Sequence, residues 1–89
     1  MNQKAMRLPD YLSHILAAID RIQRYTCGRS REAFLADEQL QDAVVRNIEI
    51  IGEASRNIAI HAPIFVAQHA EIPWLALYAM RNRVTHGGQ

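Results

Sequence analysis

The chain has 89 residues, 49% of them hydrophobic, and a formal net charge of +1. That length suits one small domain, of the kind that buries little more than ~60% of its unfolded surface, and the hydrophobic fraction excludes wholesale disorder. A single cysteine, Cys27, excludes a disulfide framework or a cysteine-based zinc site within one chain.

The N-terminal stretch Met1 to Arg7 lacks the apolar run of a signal peptide. No segment approaches the ~20 consecutive apolar residues of a membrane span. The expected setting is the reducing cytoplasm, with no membrane partner. Near-neutral charge without a basic tail confines any nucleic-acid binding to a local patch.

The first helix is expected to start near Pro9-Asp10 and stop near Thr26-Cys27-Gly28, with glycine as terminator. Leu8, Leu12, Ile15, Leu16, Ile19 and Ile22 recur at helical intervals, and Ser13, His14, Asp20, Arg21 and Arg24 fill much of the other side. Ser30 to Leu35 reads as a short helical turn that docks Phe34 and Leu35 into the core. The second long helix is expected from about Asp37 to about His61, with Leu40, Val44, Asn47, Ile51, Ala54 and Ile58 as its seam.

Val45, Ile48 and Ile50 widen the apolar surface of that helix beyond one narrow contact. Gly52 inside it costs roughly 1 kcal/mol relative to alanine, which points to close approach by another helix. Pro63 ends the helix or opens a linking turn through Phe65 and Val66. The last helix is expected to begin at Pro73-Trp74 and to align Trp74, Leu77, Tyr78, Arg81 and Thr85 in one stripe. No strand alternation, repeat or low-complexity segment is visible, so the fold class is all-α, a small up-and-down helical bundle lying within one domain, residues 1–89.

Chemistry concentrates at the chain's end, where Arg81, Asn82 and His86 follow the apolar stripe. A basic helix end followed by glycine is ordinarily just a C-terminus offsetting the helix dipole. Arg81, however, is in phase with core-facing residues, and a guanidinium beside an imidazole can bind a phosphate and move a proton at neutral pH. Arg81 is therefore expected to be partly buried and paired, with Asn47 or Glu53 as partner.

Arg46, Glu49, Glu53, Arg56 and Asn57 line a polar stripe of the second long helix, which for Glu49 and Arg56 is sufficiently explained by a solvated, ion-paired face. Asn47 on the apolar seam requires partners or sets helix register. His14, His61 and His69 are scattered and read as surface or cap residues. No phosphate-binding glycine loop, no paired catalytic carboxylates, no metal site and no cofactor site are evident.

The blocks Tyr11 to Leu16, Phe34-Leu35, Asp42 to Ala54, Ile72-Pro73-Trp74 and Met80 to Gly87 together resemble the HEPN superfamily. The specific match is to the HepT-like toxins found beside MntA-type minimal nucleotidyltransferase antitoxins. The resemblance covers essentially the whole chain. It implies an all-α homodimer that cleaves RNA without metal, through paired Arg-x4-His motifs in a cleft between subunits. On this chain Arg81 and His86 fall on that motif, with Asn82 as the polar residue after the arginine. Arg46, Asn47 and Glu53 fall on the second-helix block.

The subgroup motif usually continues as His-x-Tyr, and that tyrosine is the one the partner adenylylates; here position 88 is Gly88. The customary last helix is also absent from these residues, which reads as a C-terminal truncation. A catalytically inactive nucleotide- or antitoxin-binding module is the alternative, and a purely structural helical adaptor a third reading.

Overall fold

The computed structural model describes residues 7–79. Among them are α1 (Leu8–Thr26), α2 (Arg31–Leu35), α3 (Glu38–His61) and α4 (Pro63–Gln68). A further helix, α5, is described over residues 74–79. The described residues contain no strand, so the all-α expectation holds.

Pro9 sits in the first turn of α1, where a missing N–H costs nothing, and the Asp10 carboxylate accepts from the Arg7 backbone N–H at 3.0 Å. At the other end Gly28 takes a positive φ of 75° and reverses the chain. The Ser30 hydroxyl oxygen accepts from the Ala33 N–H and caps α2 at 3.0 Å. Asp37 does the same for α3, accepting from the Leu40 N–H at 3.0 Å. Arg29 reaches across this turn to Asp37 at 3.2 Å.

One expectation fails in α2. Phe34 is half-buried, but Leu35 is 59% exposed and does not dock into the core. The cause is visible in the turn's hydrogen bonds. The Gln41 side-chain amide of α3 donates to the Phe34 and Leu35 carbonyls, at 2.9 Å each. Those bonds hold the short helix by its backbone end, and a five-residue helix has too few turns to bury both apolar side chains.

The core forms where α1 packs antiparallel on α3. Ile15 and Ala18 of α1 meet Ile51, Ala54 and Ile58 of α3, and Trp74 closes one end. Burying a side chain such as Ile58, fully enclosed here, contributes about 1.5–3 kcal/mol. Of the expected α3 seam, Leu40, Asn47, Ile51, Ala54 and Ile58 are buried, with Gly52 buried beside them, and Val44 is half-buried. On α1, by contrast, Leu16 and Ile19 stay exposed, as does Val45 on α3.

Pro63 opens α4, whose Phe65 and Val66 pack partly into the core. The α5 helix is pinned at its start. The Trp74 indole N–H donates to the His69 carbonyl at 3.0 Å, and the Phe65 ring meets the Trp74 ring edge-on at 6.0 Å. Leu77 and Tyr78 are half-buried along the same stripe. Among the described residues no helix is long and apolar enough to cross a membrane.

Candidate functional site

Asn47 is 4% exposed and sits in the middle of the α3 seam. Burying an amide there is costly unless its donors and acceptor are bonded. Its Nδ2 donates to the Ala43 carbonyl one turn back, at 2.8 Å. Its Oδ1 accepts from the Nε of Arg21, on α1, at 2.7 Å. That short, charge-assisted bond crosses between the two long helices and fixes their register.

Arg21 is thus a correction to the sequence reading, which placed it on the solvated side of α1. It is half-buried and faces α3. Helical spacing alone could not show this, because the pairing depends on how two antiparallel helices align. Once Arg21 meets Asn47, the rest of the alignment follows. Tyr25 and Ala43 share one small cleft, and Tyr11, His14, Ala54 and Asn57 share another.

The second of these clefts, about 220 Å³, brings His14 beside Glu53 and Asn57, with Tyr11 and Ile50 completing its walls. Tyr11 also stacks on His61, the rings 6.2 Å apart and within 8° of parallel. His14, read from the sequence as an isolated surface histidine, therefore lies alongside two residues of the polar α3 stripe. Glu53 itself is exposed, as is Arg46.

His69 caps α4 and contacts Glu71 at 3.3 Å while lying 4.4 Å from the Phe65 ring. A hydrogen bond from its own backbone and another from His69 hold the Glu71 carboxyl below its ordinary range.

Arg81, Asn82 and His86 lie outside the described residues. The described part of α5 leads up to them, with Trp74 buried and Tyr78 half-buried on the stripe that Arg81 continues in sequence. Asn47 and Glu53, the expected partners of Arg81, stand on α3, with Asn47 bonded to Arg21 and Ala43.

The profile of the family described as Ribonuclease HepT-like matches residues 15–87. The chain is 44% identical over 77 residues to the probable ribonuclease HepT of Thermococcus cleftensis, covering 86% of this chain and 67% of that protein. It is 42% identical over 72 residues to a protein of Methanocaldococcus jannaschii named as a gamma-glutamylcyclotransferase and candidate RNase, covering 81% of this chain but 31% of that one. A candidate RNase of Caldanaerobacter subterraneus is 37% identical over 76 residues, covering 85% of this chain and 65% of that one. The chain therefore spans about two thirds or less of each of these relatives. No solved structure matches. With the profile covering most of the sequence and the helices laid out as described, the chain belongs to the HepT-like ribonuclease family of the HEPN superfamily.

Proposed function

We propose that the protein is a ribonuclease toxin that cleaves RNA without a metal ion, using Arg81 and His86 from each of two subunits. The observation that carries this reading is the extent of the family match, which runs through residue 87 and so includes Arg81, Asn82 and His86. In the proposed reaction His86 of one subunit takes the proton of a ribose 2′-hydroxyl as its oxygen attacks the adjacent phosphorus. The bond to the 5′-oxygen breaks, and the second His86 protonates that leaving group. The products are a 2′,3′-cyclic phosphate and a free 5′-hydroxyl. Arg81 of both subunits offsets the charge that develops on the phosphorane.

A dimer is supported by apolar surface left uncovered on the long helices, namely Leu16, Ile19 and Val45. Two-fold packing buries such patches symmetrically. Light scattering of a 10.1 kDa particle at micromolar concentration would remove the dimer cleft from the mechanism. Cleavage is tested with purified full-length chain, RNA and EDTA. The wild type should cut, and His86→Ala and Arg81→Ala should each lose at least about 100-fold in rate, as loss of a general acid–base or charge-stabilising group does. Equal cleavage by wild type and His86→Ala would sink the assignment.

The second reading, a binding module without turnover, is favoured by Gly88, which departs from the family's usual tyrosine. Binding of AMP, ATP and short RNAs by a preparation that leaves RNA uncut would establish it. Gly88 also bears on control. A minimal nucleotidyltransferase of the MntA type has no hydroxyl to adenylylate at that position, so an antitoxin would act by covering the site. Intact-mass spectrometry after incubation with such an enzyme and ATP should show no gain of AMP.

A further inference from the structure

Arg21 is held in place but not neutralised. Its Nε donates to the Asn47 Oδ1 at 2.7 Å, and that oxygen is uncharged. The N–H groups of its two terminal nitrogens have no partner among the described residues, and no carboxylate there pairs with its charge. The residues outside the described ones contain no Asp or Glu, so they bring no side-chain carboxylate to it either. A half-buried cation without a counter-charge calls for an explanation, because such charges are ordinarily paired.

Arg46, next to Asn47 on α3, is exposed and likewise makes no ion pair among the described residues. Both arginines fall on one flank of the α1/α3 pair. Along α1, Arg21 lies seven residues after His14 and four before Tyr25; along α3, Arg46 lies four before Ile50 and three after Ala43. His14 and Ile50 wall one cleft of that flank, Tyr25 and Ala43 the other. The two arginines therefore form the ridge between the clefts. Each cleft has a tyrosine ring in its wall, Tyr11 in the first and Tyr25 in the second. The acidic residues there are Glu53 in the first and Asp37 in the second, where Arg29 already offsets Asp37.

We propose that Arg21 and Arg46 bind the phosphate backbone of single-stranded RNA, one phosphate each, with Asn47 as the positioning residue that presents the free edge of Arg21. This rests on RNA being the protein's partner and involves neither Arg81 nor His86. A guanidinium bonded through Nε keeps its two terminal nitrogens side by side, as the fork that receives two phosphate oxygens. Tethering also removes side-chain freedom before the ligand arrives, which lowers the cost of binding. Single-strand surfaces combine such cations with rings on which bases stack, and Tyr11 and Tyr25 stand on either side of this ridge. An acidic protein would engage the cations and leave the rings unused.

Full-length wild-type chain is titrated against a fluorescein-labelled oligonucleotide with 2′-O-methyl riboses, which cannot be cut through its 2′-oxygen. Anisotropy gives Kd across a salt series. Each phosphate contact on a single strand contributes about 0.7 to the slope of log K against log salt, so Arg21→Gln and Arg46→Gln should each remove that much. Each should also raise Kd about tenfold at low salt, the scale of one hydrogen bond to a charged group. Arg46 is exposed, so Arg46→Gln tests the ridge even if Arg21→Gln fails to fold. Arg21→Lys keeps the charge and loses the fork; it should keep the slope and raise Kd. Arg56→Gln, at an exposed arginine on the α5 side of α3, should change neither quantity. An unchanged slope in Arg46→Gln, or an equal loss in Arg56→Gln, overturns the proposal. So does binding of polyglutamate, in place of the oligonucleotide, with the same dependence on Arg21 and Arg46, since an acidic protein would then be the occupant. If the wild type cuts RNA while both ridge variants keep the full slope, the ridge falls and the cleavage reading stands. Lost slope in a protein that leaves RNA uncut supports the ridge and removes the cleavage reading.

Discussion

Two buried polar side chains of α3, two turns apart on one helix, are treated in opposite ways. Asn47 is bonded on both ends of its amide, once within its own helix and once to Arg21 of the neighbouring one. Ser55 is as deeply buried and has no bond for its hydroxyl. The first lies where α1 and α3 align and helps set that alignment. The second lines an apolar groove. Burial of a polar group is therefore no single signal in this fold. A satisfied group here holds two helices in register, while an unsatisfied one only costs stability.

The comparison breaks most visibly at Asn47. Asn47→Ala leaves a guanidinium with its partner removed and should lower unfolding stability by about 2–3 kcal/mol in urea titration, the scale for hydrogen bonds to charged groups. Arg21→Met should cost less, since Arg21 is half-exposed and water replaces the lost bond. A double-mutant cycle should return a coupling of about 1 kcal/mol between the two. Additivity would mean the bond is incidental to register.

Ser55→Ala sharpens the contrast from the other side. Removing a hydroxyl that is buried without a partner, and replacing serine by the best helix former, should raise stability by about 1 kcal/mol. A loss on the same scale would show that the hydroxyl is bonded after all. Asp37→Ala should cost about 1 kcal/mol by deleting the α3 cap, with the change seen in the melting midpoint and not in the Arg21–Asn47 coupling.

The smallest effect is electrostatic. The Glu71 carboxyl titrates below its ordinary value of 4.5 in the folded chain. The stability it contributes is complete above that ordinary value and is lost as pH falls through the lower, folded one. Glu71 is fully exposed, so Glu71→Gln should lower stability only slightly at neutral pH, and the difference from the wild type should vanish as pH falls through the folded value.

The α3 seam was legible from the sequence because a single helix carries it. Leu40, Asn47, Ile51, Ala54 and Ile58 repeat at spacings that one helix face dictates, and the oddity of an amide among them is plain without any partner. The starts of α2 near Ser30 and of α3 near Asp37, and those of α4 and α5 at prolines, are equally local. Arg21 was not legible, since its environment is set by a residue 26 positions away. Leu35 was misplaced because an apolar side chain in a short turn says nothing of which way the turn is tethered. For the candidate site, the sequence supplied Arg81, Asn82 and His86 as a pattern, and the described residues supply the α5 stripe that leads to it. The proximity of His14 to Glu53 and Asn57 emerges only from the packing of α1 on α3.

Gly28 carries a consequence of another kind. Its φ of +75° lies in the left-handed region, yet a methyl group placed on its Cα would meet nothing within 4 Å. The position is closed to ordinary L-residues by chirality alone, at roughly 1–2 kcal/mol, and not by any shortage of room. A D-alanine would sit there without strain and would also narrow the unfolded chain's freedom. The reversal from α1 to α2 is thus a point where the handedness of the building block, and no neighbour, decides what the chain can hold.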